Sequence, residues 1–76
     1  MPRYKNLGGD SGVDSYEPGH GSITVTFKNG RHRNYVWEAS RVGQASIEQM
    51  LRLAEDGQGL NAYIHSHVHG KHSRSW

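Results

Sequence analysis

Ser22-Ile23-Thr24-Val25-Thr26-Phe27 alternates large apolar side chains with hydroxyls, and Lys28-Asn29-Gly30 follows it directly. A period of two written largely in β-branched residues is the pattern of a strand with one buried face. Asn-Gly is the strongest short-range hairpin dipeptide, because both positions tolerate positive φ. Residues Arg31 to Trp37 therefore read as the returning strand of a β-hairpin over 22–37.

Two registers fit this hairpin. With Asn29-Gly30 as a two-residue turn, Phe27 stands opposite His32 and Val25 opposite Asn34. The outer face then carries Lys28, Arg31, Arg33, Tyr35 and Trp37, basic residues interleaved with aromatics, which suits single-stranded nucleic acid. With Lys28-Asn29-Gly30 as a three-residue turn, Phe27 faces Arg31. A one-residue slip sends each side chain to the other face, so Tyr35 and Trp37 join Ile23, Val25 and Phe27 in the core. Thr24, Thr26, His32 and Asn34 then form a polar outer surface. Losing Trp37 from a thin core would forfeit several kcal/mol out of a stability of about 5 kcal/mol, which favours the second register.

On the N-terminal side, Val13-Asp14-Ser15-Tyr16-Glu17 alternates weakly and reads as a first strand, turned by Pro18-Gly19-His20-Gly21. Gly8-Gly9-Asp10 marks a flexible lead over 1–12. On the C-terminal side, 38–43 reads as an aperiodic connection. Ile47, Met50, Leu51 and Ala54 then make one helical stripe over 46–56. Ser46 and Gln49 stand as a capping box at its start, and Gly57 and Gly59 end it. Leu60, Tyr63 and Ile64 repeat the i, i+3, i+4 spacing, a short second helix near 60–65. The fold expected is α+β: an antiparallel sheet of two or three strands covered by these helices. A single domain spans 13–66, and 67–76 is a polar, His-rich tail, with both chain ends frayed.

The segments together resemble the KTSC domain, a short domain found at the C-terminus of some lysyl-tRNA synthetases and as stand-alone bacterial and phage proteins. The residues that carry the likeness are Asp14-Ser15-Tyr16, then Ile23 to Gly30, then Tyr35-Val36-Trp37, then the run from Ala54 to Ile64 with its glycine turn and Leu60-Asn61-Ala62-Tyr63-Ile64. The family's Tyr-x-Tyr pair falls either at Tyr35 and Trp37 or, disrupted, at Arg33 and Tyr35. The resemblance implies a small α+β fold and no activity. Attachment to a synthetase suggests RNA as ligand.

Composition narrows the rest. A chain of 76 residues makes one domain and buries only about 60% of its unfolded surface. Such a chain is expected to be too small to enclose a pocket of the usual ~300 Å³ without a partner. With no cysteine it has neither a disulfide framework nor a thiolate zinc site. No apolar run approaches the roughly 20 residues that span a bilayer, so no membrane is expected and the cytoplasm is the default location. The net charge of +2 leans mildly toward polyanions.

His65-x-His67-x-His69-x-x-His72 is the one dense set of potential metal ligands. No carboxylate follows Asp56 to orient the rings, so the set reads as a polar tail, with no metal and no cofactor expected. Ser15, Ser22, Ser40 and Ser46 with a histidine and Asp10, Asp14 or Asp56 could make a triad, but no nucleophile elbow or phosphate loop appears. No enzyme is expected. Lys28, Arg31 and Arg33 are the expected phosphate contacts, with Tyr35 or Trp37 stacking if the two-residue turn forms. The reading is a non-catalytic binding module, with RNA or another nucleic acid as ligand. The alternative is a protein-interaction module, such as a phage or prophage factor docking on a host protein.

Overall fold

In the computed structural model, residues 3–5, 7 and 12–76 are described. The Gly8-Gly9-Asp10 breaker, and Asp10 as a candidate acid, lie outside the described residues. The alternating stretch forms strand β2 (Ser22–Phe27), between β1 (Val13–Gly19) and β3 (Asn34–Glu38). A two-residue strand β4 (Arg74–Ser75) joins the far side of β3, giving an antiparallel sheet in the order β1-β2-β3-β4. The chain is thus α+β, and its sheet gains a fourth strand from the segment read as a tail.

The hairpin takes neither expected turn. Ile23 stands opposite Trp37, Val25 opposite Tyr35 and Thr26 opposite Asn34. The Phe27 N–H donates to the Arg33 carbonyl at 2.7 Å, so the loop runs over 28–32. This pairing lies two residues from the three-residue-turn register, and a two-residue shift leaves every side chain on the same face. Tyr35 and Trp37 therefore share the inner face with Ile23 and Val25, and the pairing that would turn them outward is not formed. The core accounts for this: Ile23 and Trp37 are both buried, and only this face offers them the helices. On the outer face the Thr26 hydroxyl donates to Asn34 Oδ1 at 2.7 Å. In β1 the pairing shifts between Val13 and Ser15, and this bulge lets Val13 and Tyr16, three residues apart, both point inward.

After β3 the chain makes one helical turn, α1 (Ala39–Val42), where the sequence shows no period. It passes through Gly43 into α2 (Gln44–Asp56). Gly43 has φ +90°, which a side chain would resist, and its carbonyl accepts the Ile47 N–H, closing the first turn. The helix therefore begins two residues before Ser46, whose hydroxyl caps nothing. Ile47, Met50 and Ala54 of the expected stripe are buried and Leu51 is partly buried. Gly57 adopts the left-handed cap conformation, its N–H bonded to Leu53. The second helix, α3 (Leu60–Tyr63), continues into a wider π-helical turn over Ile64–Val68. Leu60, Ile64 and Val68 close the core from that side. Full burial of each such side chain is worth about 1.5–3 kcal/mol.

The chain ends contribute more than their composition suggests. Tyr4 is buried, its N–H bonded to the Asp14 carbonyl and its hydroxyl accepting the Leu60 N–H at 3.4 Å. Past Val68, Gly70 (φ +77°) turns the chain back toward the sheet, and the Ser73 N–H reaches the Val36 carbonyl at 2.7 Å. Trp76 exchanges two backbone hydrogen bonds with Asn34. Val68 and Tyr4 are single apolar or amphipathic residues in polar surroundings, so no period reveals them as core.

Candidate ligand-binding groove

The long hairpin loop and the returning C-terminal segment face each other across the end of the sheet. Between them lies a half-open groove of about 660 Å³. Its floor is aromatic. Phe27 meets Tyr35 edge-on at 5.5 Å between ring centroids, and Tyr35 stacks beside Trp37 at 5.9 Å. His72 sets its edge against both, at 4.9 Å from Tyr35 and 6.2 Å from Trp37. The anchor of this arrangement is Trp37, whose indole N–H donates to the Val68 carbonyl at 3.0 Å in a buried bond. That bond ties the sheet to the π-turn and so fixes the distance between the groove's walls.

One wall comes from the hairpin loop with Asn29, Arg31 and His32. The opposite wall comes from the helical side with Asn61, His65 and His69. His32 is steadied by a 2.9 Å contact between Nδ1 and the Ser75 hydroxyl. His65 and His69 stack on each other at 5.6 Å, while His67 leans away onto Tyr63 at 4.5 Å. Among the described residues, no aspartate or glutamate lines the groove. Arg31 and Lys28 are exposed and form no ion pair among the described residues. Groups of three or more histidines and carboxylates placed to hold a metal ion are absent among the described residues.

Of the five residues expected from the sequence to bind nucleic acid, Arg31, Tyr35 and Trp37 line the groove. Lys28 and Arg33 flank it on the same loop. Arg33 spends its Nε–H on the Phe27 carbonyl at 3.1 Å. Tyr35 is half-buried, whereas Trp37 is 2% exposed, so its role is to hold the floor.

No family model, no curated protein and no solved structure matches the chain. The geometry of the groove is thus the basis for reading its function.

Sequence reasoning missed Asn29, Asn61 and the placement of the histidines of the C-terminal run. The His65-x-His67-x-His69-x-x-His72 run was visible, but as a ligand set on a tail. Nothing local shows that Val68 buries itself between them and turns His65 and His69 toward the hairpin. The expectation that so short a chain lacks a sizeable pocket assumed an enclosed cavity. A groove between a hairpin loop and a returning strand needs no second layer of core. Among the described residues, no helix is long and apolar enough to cross a membrane.

Proposed function

We propose that the chain is a non-catalytic binding module for single-stranded nucleic acid, with RNA the preferred form, and that it is a KTSC-like domain. The observation that carries this reading is the groove itself: half-buried rings of Phe27 and Tyr35 beside the cation Arg31, with no ion pair to Arg31 and no carboxylate on the walls among the described residues. Unstacked bases bind to proteins by stacking on aromatic rings and by hydrogen bonds to their edges, and Asn29 and Asn61 supply amide donors and acceptors for the latter. Phosphates alongside would meet Arg31, Lys28 and Arg33. A duplex keeps its base faces covered, so the groove selects single strands.

A protein-docking role has less support. The large apolar side chains exposed among the described residues are Leu7 and Trp76, and the Arg74 guanidinium lies over the Trp76 ring at 5.6 Å. Fluorescence anisotropy with labelled single-stranded RNA and duplex DNA, at low and near-physiological salt, distinguishes the two. Saturable binding to the single strand that weakens steeply with salt is expected. Absence of binding to either at low salt would remove the nucleic-acid reading and leave the protein-docking one.

A further inference from the structure

We infer that imidazoles on the groove walls add phosphate contacts to those of Arg31, so that binding of a nucleic-acid strand takes up protons and tightens as pH falls. This inference rests on the nucleic-acid reading above and specifies how that site is regulated.

Four of the six histidines, His32, His65, His69 and His72, line one groove with Arg31 between them and Tyr35 below. They come from three separate parts of the chain: the hairpin loop, the π-turn with its C-terminal residue, and the segment leading to β4. Among the described residues, the groups facing them are neutral or basic. His65 and His69 face each other, His72 faces the Tyr35 and Trp37 rings, and His32 faces the Ser75 hydroxyl. Arg31 is the fixed charge across the groove, Lys71 adjoins the wall in the chain, and α3 and the β1 side contribute Asn61 and Gly12. Among the described residues, no acidic group lines the site.

Imidazole is the side chain that ordinarily gains its charge between about pH 5 and 8. An anion held against imidazoles that lie 5.6 Å apart favours their charged form, because an opposite charge close by does so. Phosphodiester binding and proton uptake are therefore coupled, and the coupling is reciprocal. At high pH the groove offers Arg31 and an aromatic floor; at low pH it becomes a cationic cleft.

The test uses labelled oligouridine, whose bases and phosphodiesters keep their charge across the pH range, in anisotropy titrations at fixed ionic strength. For the natural chain, affinity should rise by roughly tenfold or more between about pH 8 and 5.5. His65→Gln with His69→Gln changes two exposed side chains, and circular dichroism checks that the fold is kept. This variant should lose most of the rise. His20→Gln, in the β1–β2 turn away from the groove, should keep it. Binding that is independent of pH in the natural chain would overturn the inference while leaving the nucleic-acid reading intact. A rise that survives in the double variant, or that H20Q abolishes, would also overturn it. Failure to bind at any pH would overturn both.

Discussion

Trp37→Ala should remove most of the chain's stability and bring it close to its unfolding midpoint at room temperature. Truncating a fully buried tryptophan costs about 3–5 kcal/mol, and a domain of this size holds about 5 kcal/mol in total. Trp37 is the largest side chain in the core, set opposite Ile23 in the sheet, and its indole N–H is the buried link to the Val68 carbonyl. Its loss removes packing from the sheet and the tie to the π-turn at once. Trp37→Phe separates these contributions. It keeps a ring in the core but removes the donor to Val68, and a buried acceptor that loses its partner costs about 1–3 kcal/mol. Part of that cost is offset because the Lys71 N–H also reaches the Val68 carbonyl, at 3.0 Å. Urea unfolding followed by far-ultraviolet circular dichroism should place the phenylalanine variant between the natural chain and the alanine variant. Equal stability of all three would mean that Trp37 does not hold the two halves together.

Arg31→Ala with Arg33→Ala should weaken RNA binding by ten- to a hundredfold at low salt, roughly the effect of removing two phosphate contacts. The salt dependence is the sharper readout. A single strand releases about 0.7 counterion per neutralised phosphate, so the slope of log affinity against log salt should flatten by about 1.4. Arg31 lines the groove and Arg33 flanks it. Both side chains are exposed, so unfolding is not expected to confound the result. An unchanged slope would place the phosphates elsewhere on the surface. A protein partner that is still captured by the double variant would favour the docking alternative.

Much of the fold is legible in the sequence, because its elements carry strong periodicities. Ile23, Val25 and Phe27 at period two, and Ile47, Met50 and Ala54 at helical spacing, both describe faces that the structure buries or half-buries. The glycines at 57 and 59 end the helix where their freedom at positive φ is needed. The hairpin's face follows from the need to bury Trp37, but its register does not. A turn centred on Asn29-Gly30 and a loop over 28–32 leave the same local pattern, and only the position of Trp37 against Ile23 and Val68 separates them. The candidate site is less legible for the same reason. Arg31 and Tyr35 stand out as residue types, whereas His65 and His69 matter through the turn at Gly70 and the burial of Val68. Those are long-range effects that no short window contains.

The most direct test is to titrate the ¹⁵N-labelled chain with unlabelled oligouridine and map the amide shifts. The groove account predicts shifts concentrated at residues 29–32, at Asn61, and at His65, His69 and His72, with the outer face at Thr24, Thr26 and Glu17 left unmoved. Shifts centred on that outer face, with residues 29–32 and His65 unchanged, would contradict it.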